Sequence, residues 1–230
     1  MYKSQSQITM RLIAKDFKFK KDEIKSPEIY LGAQLERKEL NGQKMWTMTS
    51  VDYIKAAIKN LEKRLEKKGK KLSTKTDVPV PQDYRPELDE SQKLDTEGIT
   101  MYQELMGILR WAVEISRVDI LTELSMISPY QAAPREGHLE RLINIFAFIK
   151  KKPKLTLYFS PTMPRLDAKM LNGSTSEQFR EHYRDAKEEI PMRIPKPKGR
   201  SIHMTAFVDA SHAANKVNWR SHTGFIIFIN

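Results

Sequence analysis

Four lysines follow one another at four-residue steps, namely Lys55, Lys59, Lys63 and Lys67, and Arg64 lies among them. On an α-helix this spacing places the four ammonium groups in one row. Such a row can contact the phosphates of a nucleic-acid backbone, because each neutralised phosphate releases condensed counterions. The same pattern is also typical of a helix face that contacts only water. Both interpretations stay open, and phosphate binding is the functional one.

Thiol and zinc chemistry are disfavoured by the residue content. The chain has no cysteine, which excludes disulfides, a thiol nucleophile and zinc sites built on thiolates. Its histidines do not repeat at the spacing of zinc ligands, and we expect them in capping, core or surface roles. They are His138, His182, His203, His212 and His222.

The composition is typical of a globular protein with a polyanionic partner. The 230 residues have 40% apolar and 30% charged side chains, which fits one large domain or two small ones. The net charge is +11, distributed as +9 over residues 1–80, −6 over 81–128 and +8 over 129–230. Neither a signal peptide nor an apolar stretch of about 18 residues is recognisable. We therefore expect an intracellular protein of the cytoplasm or nucleus, not secreted and with no membrane partner.

The elements that must position these side chains begin with a β-hairpin and a helix. Residues 29–48 predict two strands that turn at Asn41-Gly42, since both turn residues must reach positive φ. The segment Thr49-Ser50-Val51-Asp52 predicts a capping box for the helix that carries the lysine row, and Gly69 predicts its end. The apolar stripe of this helix is Val51, Ile54, Ile58, Leu61 and Leu65.

Three further helices are predicted after an acidic, proline-containing linker over residues 72–98. The first begins at Thr100 with Gln103 as its box partner. The second opens with residues 116–119, is capped by Asp119, and buries Ile120, Leu121, Leu124 and Ile127. The third has Pro134 in its first turn and runs to residue 152. Together with residues 50–68 these helices predict a small bundle.

The remaining residues predict strands separated by connections. Residues 155–159 form a strand, 174–190 a charged helix and 191–199 a stiff linker. Residues 203–209 and 224–229 then form a second pair of strands. The predicted fold class is α+β, with a β-hairpin, a small helical bundle, a linker and a further β-hairpin.

The last residues, FVDASHAANKVNWRSHTGFIIFIN, resemble the start of the ribonuclease H domain of copia-type LTR retrotransposon polyproteins. The matching positions are Asp209, Ala210, Ala213, Arg220, Ser221, Gly224, Phe225 and Phe228. Upstream, residues 102–119 resemble the family segment that links two thumb helices, through Gly107, Leu109, Arg117 and Asp119. Pro134, His138 and the stripe to Ile149 resemble the next block, and Tyr30-Leu31-Gly32 resembles the primer grip.

The resemblance implies four parts of a reverse transcriptase. Residues 1–48 would be the C-terminal end of the palm with a primer-grip-like hairpin, and 49–152 a thumb-like helical bundle. Residues 153–200 would be the connection, and 201–230 the truncated start of a ribonuclease H-like domain. The implied partner is an RNA–DNA or primer–template duplex, contacted by Tyr30, Leu31 and Gly32 and by the lysine row. The absent palm and fingers, and the rest of ribonuclease H, would be the other partners.

The resemblance also implies incomplete catalysis. The family uses an Asp-Asp pair for RNA-directed DNA polymerisation, and this sequence contains no Asp-Asp dipeptide. Ribonuclease H chemistry needs several carboxylates around two Mg²⁺ ions. Asp209 matches only the first of these carboxylates, and Ser211 and Asn215 stand where the family often has Asp. We expect Asp209 alone not to hold Mg²⁺ stably, and the alternative interpretation is an ordinary strand-end Asp in a turn.

Two alternatives remain open at this level. Tyr30-Leu31-Gly32 could be an ordinary strand entry, and Trp46 could be a core residue or could stack on a base.

The function also has alternatives besides a reverse transcriptase fragment. The second hypothesis is a degenerate or co-opted helical protein-interaction module without an enzymatic role. The acidic stretch over 81–128 favours a protein partner in that case. A reading frame with no selected role is the third possibility.

Overall fold

The computed structural model describes residues 2–18, 26–160 and 204–229, together with Thr162, Glu181, Arg193, Pro195 and Ile202, and the side chains from Ile8 onwards. It divides into two compact units. One comprises residues 1–84 and 90–158, and the other comprises residues 85–89 and 159–230. The described residues form a mixed helical and antiparallel β-structure, which confirms the coarse fold class.

Five α-helices and six strands are described. The helices are α1 (Tyr2–Asp16), α2 (Val51–Lys67), α3 (Thr96–Ile115), α4 (Leu121–Ile127) and α5 (Glu136–Lys151). The strands are β1 (Ile29–Tyr30), β2 (Ala33–Leu40), β3 (Gln43–Thr49), β4 (Leu157–Phe159), β5 (Met204–Ala210) and β6 (Thr223–Ile229). Strands β1 to β4 form one sheet in chain order, and β5 pairs with β6. Sequence reasoning missed α1, whose side chains from Ile8 to Phe17 are largely exposed.

The predicted hairpin at Asn41-Gly42 is confirmed. Asn41 has a φ of 54° and Gly42 a φ of 75°, as a two-residue turn with both residues at positive φ requires. Strands β2 and β3 pair antiparallel from Leu40↔Gln43 to Gln34↔Thr49. The turn residues therefore fix the register of the hairpin.

Helix α2 has the predicted core stripe but a different start. Ile54, Ile58, Leu61 and Leu65 are buried, whereas Val51 is half-buried. The capping box is wrong, since Ser50 occupies the N-cap without a side-chain cap bond. Its hydroxyl lies 2.5 Å from the Ser116 hydroxyl, and the Thr49 hydroxyl donates to the Leu155 carbonyl at 2.8 Å. Tertiary partners therefore replace the local cap.

The end of α2 agrees with the prediction at Gly69, which has a φ of 66°. Its N–H donates to the Glu66 carbonyl at 3.0 Å, and the Lys70 N–H donates to the Leu65 carbonyl at 2.9 Å. These two bonds form a Schellman motif, which satisfies carbonyls that the helix end would leave unpaired.

Helices α2, α3, α4 and α5 enclose the main core. Leu61, Leu105, Leu109, Phe146 and Ile149 are among its buried members. The predicted start of α3 at Thr100 is wrong. Asp95 is the N-cap and accepts from the Gly98 N–H at 2.8 Å, so the helix begins one turn earlier.

The second bundle helix is shorter and less buried than predicted. Leu121 is 49% exposed, so its assignment to the core is wrong. Asp119 does not cap the helix; its carboxylate accepts from Nε and Nη2 of Arg117 at 2.9 and 2.8 Å. The sequence pattern indicated a cap because Asp is common there, but the buried guanidinium two residues earlier takes both oxygens.

The N-terminus of α5 is capped by an imidazole. The helix begins at Glu136, so Pro134 precedes its first turn. His138 is 2% exposed, and its Nδ1 accepts the Arg135 backbone N–H at 3.1 Å. The expectation of a capping or core role for this histidine is thereby confirmed.

The segment between α2 and α3 is irregular apart from a short 3₁₀ helix at Pro86–Leu88, but parts of it pack on the bundle, and residues 96–98 of the predicted linker belong to α3. Leu72 and Val80 are buried in the core cluster. Near α5, the Leu94 N–H donates to the Pro134 carbonyl at 3.0 Å. The Thr76 hydroxyl also donates to the Asn144 amide oxygen at 3.2 Å. The description of residues 72–98 as a linker is therefore too loose.

The second hairpin is confirmed within the other unit. Strands β5 and β6 pair antiparallel from Met204↔Ile229 to Ala210↔Thr223. The predictions of a helix over 174–190 and a linker over 191–199 lie outside the described residues, apart from the isolated positions named above. Among the described helices, none is both long and apolar enough to cross a membrane.

Candidate nucleic-acid interface

The predicted lysine row is exposed along α2. Because the opposite side of α2 carries the buried stripe, the four lysines at four-residue steps lie on its solvent face. None of the four forms an ion pair with another residue in the described part of the chain, whereas the neighbouring Arg64 and Lys68 do. The row comprises Lys55, Lys59, Lys63 and Lys67.

The paired cations sit at the contacts between elements. Arg64 pairs with Glu104 of α3, Lys68 with Glu97 at 2.8 Å, Lys150 with Glu62 at 2.5 Å and Lys151 with Asp77 at 2.6 Å. Lys151 holds the pKa of the Asp77 carboxyl below its ordinary value, through a hydrogen bond and through its charge. The structure thus places Arg64, which we expected among the phosphate contacts, in a bridge between α2 and α3.

The predicted primer-grip-like residues form a tight exposed turn between β1 and β2. Leu31 and Gly32 have φ values of 52° and 90°, and Tyr30 pairs with Ala33 across the turn. Tyr30 is 60% and Leu31 56% exposed. A leucine in the left-handed region is uncommon and is strained by about 1 kcal/mol or more. The rest of the sheet therefore holds this turn in a conformation that its own residues do not favour.

A cavity of about 530 Å³ lies between this turn and α3. Tyr30, Leu31 and Met48 line one side. The other side is a stripe of α3 at three- and four-residue steps: Gly107, Arg110, Trp111, Glu114 and Ile115. Sequence reasoning missed this site because its two walls are about seventy residues apart in the chain. The sequence feature that could have indicated this site is Gly107 in the middle of a predicted helix, followed by Arg110 and Trp111 on the side away from the apolar stripe.

The face of the sheet that lines the cavity also carries Trp46. Residues that pair across antiparallel strands present their side chains on the same face, so the pairs Leu35↔Met48 and Arg37↔Trp46 lie together. The guanidinium carbon of Arg37 lies 4.6 Å from the centroid of the Trp46 ring. One side of this half-buried indole is thus occupied by a cation, which leaves less of it for a base.

Asp209 is the second-last residue of β5, because the strand ends one residue later than the sequence pattern predicts; Asp209 pairs with Gly224 and is exposed. The following loop is ordered by its own hydrogen bonds: the Ser211 N–H donates to the His222 carbonyl at 2.8 Å, and the Ala213 N–H to the Ser221 hydroxyl at 3.1 Å. Across residues 2–18, 26–160 and 204–229, no three His, Asp or Glu side chains lie together as a metal site would require. The described residues therefore do not fit a Mg²⁺ pair.

No known protein family, curated protein or solved structure matches this chain. The resemblance to copia-type polyproteins thus stays a prediction. The described residues provide an unpaired lysine row on α2, a strained exposed turn, and a cavity between that turn and α3.

Proposed function

We propose that this chain is the primer–template-gripping part of a copia-type reverse transcriptase and ribonuclease H polyprotein, and that it does not catalyse either reaction alone. The observation that carries the proposal is the contrast between this row and the cations at the contacts of α2 with α3 and α5. The lysines of the α2 row are exposed and free of described carboxylates, while Arg64, Lys68 and Lys150 are all paired.

The length of the row suits a nucleic-acid backbone. Each step of four residues rises about 6 Å along a helix, so the four lysines span about 18 Å. This is the axial length of about five base pairs. The row can therefore neutralise several successive phosphates without reading the sequence, as a grip on any primer–template requires.

The turn Tyr30-Leu31-Gly32 would add contacts from the backbone. Its residues project from the sheet, and Gly32 brings no side chain between the main chain and a ligand. The catalytic carboxylates of both reactions would come from parts of the polyprotein other than the lysine row and the turn. The sequence has no Asp-Asp pair, and Asp209 belongs to no group of three His, Asp or Glu side chains among the described residues.

Binding to an RNA–DNA heteroduplex tests the proposal. A variant with alanine at all four row positions is compared with one with alanine at Lys15, Lys18, Lys154 and Lys216, which are also exposed. Both variants lower the net charge by four. We expect the row variant to bind much more weakly than the control at low salt. If the row variant binds as tightly as the parent there, the proposal is wrong.

The alternative function is a helical protein-interaction module. Val118 is 51% and Leu121 49% exposed, and both lie in the acidic stretch over residues 81–128. An apolar and acidic surface disfavours a polyanion and favours a protein. Heteroduplex binding by the parent that is weak at low salt and unchanged by the row substitutions would favour this alternative.

A further inference from the structure

The cavity between the β1–β2 turn and α3 has the dimensions and walls of a small-ligand site. Its volume of about 530 Å³ lies within the range of roughly 300–1,000 Å³ that small-ligand pockets occupy. Tyr30 and Trp111 are both partly exposed at the cavity, at 60% and 39%. Exposed aromatic rings at a cavity favour a flat aromatic ligand, because such a ligand stacks on them.

Gly107 keeps the α3 wall of the cavity open. A Cβ added at this position would meet no atom within 4 Å, so the glycine is not required by packing against a neighbour. The buried side chains of α3, such as Leu105 and Leu109, point into the bundle core. The absent side chain at Gly107 therefore leaves room on the opposite side of the helix, where the cavity lies.

Two polar side chains with complementary capacities reach this site. Arg110 and Glu114 lie four residues apart on α3 and both line the cavity. Neither forms an ion pair or side-chain hydrogen bond with any residue in the described ranges. A guanidinium only donates hydrogen bonds and a carboxylate only accepts them, so a ligand that faces both needs acceptors on one edge and donors on another.

We propose that this cavity binds a guanine base. Guanine offers the O6 and N7 acceptors, which arginine recognises with two parallel hydrogen bonds. Its N1–H and N2 amino group are donors for the Glu114 carboxylate. Adenine has only N7 as an acceptor on the corresponding edge, and a pyrimidine covers less of the aromatic walls. The site is separate from the lysine row but shares Tyr30 and Leu31 with the turn of the proposed grip. The inference goes beyond that grip because it assigns a base-specific ligand to the cavity.

Titration of the full chain with GMP, AMP, CMP and ribose 5-phosphate, followed by calorimetry, tests the assignment. We expect GMP to bind at least tenfold more tightly than AMP or CMP, and ribose 5-phosphate at least tenfold more weakly than any of them. Arg110→Ala and Glu114→Gln should each weaken GMP binding at least tenfold. Lys63→Ala is the matched control on the lysine row and should leave GMP binding unchanged, whatever it does to duplex binding.

The source of the base is resolved by short oligonucleotides. GMP and a single-stranded pentamer with one guanine are compared with the all-uridine pentamer. Equal affinity for GMP and the guanine pentamer assigns the site to a free nucleotide, and at least tenfold tighter binding of the guanine pentamer assigns it to a strand. Equal binding of both pentamers overturns the proposal, as does equal binding of GMP and AMP.

Gly107→Leu tests the location without altering a polar group. This substitution places a side chain in the space that the glycine leaves open and should remove GMP binding. Its far-ultraviolet circular dichroism should match that of the parent, and it should unfold at the same or a slightly higher temperature, because the added Cβ meets no neighbour and leucine is a better helix former than glycine. Retention of GMP binding by a folded Gly107→Leu variant overturns the proposal.

Discussion

The guanidinium of Arg117 joins the α3–α4 junction to the end of α5. Its side chain is 1% exposed, and Nη1 donates to the Lys152 carbonyl at 2.6 Å while the other nitrogens bond Asp119. Removal of Asp119 would leave a buried charge unpaired. Asp119→Ala should therefore destabilise the protein by about 2–3 kcal/mol, somewhat less than the roughly 3–5 kcal/mol of a fully buried pair, because Asp119 is 29% exposed.

Urea unfolding compares this variant with Glu97→Ala, which breaks the exposed Lys68–Glu97 pair. The control should change stability by less than about 1 kcal/mol. If Asp119→Ala and Glu97→Ala lower the free energy of unfolding by the same amount, the burial of Arg117 does not make its ion pair more important for stability than an exposed pair.

The hydroxyl of Tyr102 predicts a pH dependence. Tyr102 is fully buried and donates to the Ile127 carbonyl at 2.7 Å, and burial raises the pKa of its phenol above the ordinary 10.0. The folded state therefore holds this proton more tightly than the unfolded state. The stability that this proton contributes is complete below pH 10 and is lost as the pH rises above it.

Tyr102→Phe should cost about 1–2 kcal/mol at pH 7, because the Ile127 carbonyl loses its partner. The variant should also lose less stability between pH 9 and 11 than the parent, as measured by thermal unfolding. Tyr158→Phe, at a 49% exposed position, is the control. An alkaline stability profile that is the same in Tyr102→Phe and the parent would contradict the assignment.

At the scale of elements, sequence patterns correctly predicted the features that depend on residues close together in the chain. The Asn41-Gly42 turn, the Gly69 helix end and the α2 stripe were correct because each depends on neighbours in the chain. The caps were wrong where a distant group competes. Ser50 contacts Ser116, and the hydroxyl of Thr49 bonds Leu155.

The candidate site also has one part that the sequence predicted and parts that only the fold determines. The lysine row could be read directly from its spacing along one helix. The pairing of Arg64 with Glu104 could not, because the partner lies on α3. The cavity also depends on a sheet and a helix that only the fold brings together.

Two glycines provide a matched test of this local chemistry. Gly42 has a φ of 75° and Gly107 lies within α3 with open space around it. Gly42→Ala should destabilise by about 1 kcal/mol because alanine resists positive φ. Gly107→Ala should stabilise by about 0.5–1 kcal/mol because alanine is the better helix former. Chemical unfolding of both variants measures the two signs, and the same sign for both would contradict the assigned backbone conformations.

At the scale of the whole molecule, the described residues of the two units differ in how much apolar surface they bury. The helical unit contains a contiguous core, whereas every residue of β6 is exposed and β6 has one partner strand among the described residues. A two-stranded sheet is marginally stable by itself. Its backbone hydrogen bonds should therefore open more often than those of the bundle.

Hydrogen–deuterium exchange measures this difference. Amides of β5 and β6 should exchange within seconds to minutes, whereas those in the middle of α3 and α5 should stay protected for at least tenfold longer. The amides of α1, whose apolar side chains are exposed, should exchange at the fast end as well. Equal protection of β6 and α3 would contradict this expectation, because it would show that residues other than the described ones pack on the β5–β6 hairpin.

The salt dependence of heteroduplex binding tests the central claim most directly. The logarithm of the binding constant is measured against the logarithm of salt concentration for the parent, the variant with alanine at the four α2 lysines, and the matched control. Each phosphate contact contributes about 0.9 to the slope, so the row variant should lose about three to four units. The control should lose less than about one unit. A slope that is the same in the parent and the row variant would contradict the account.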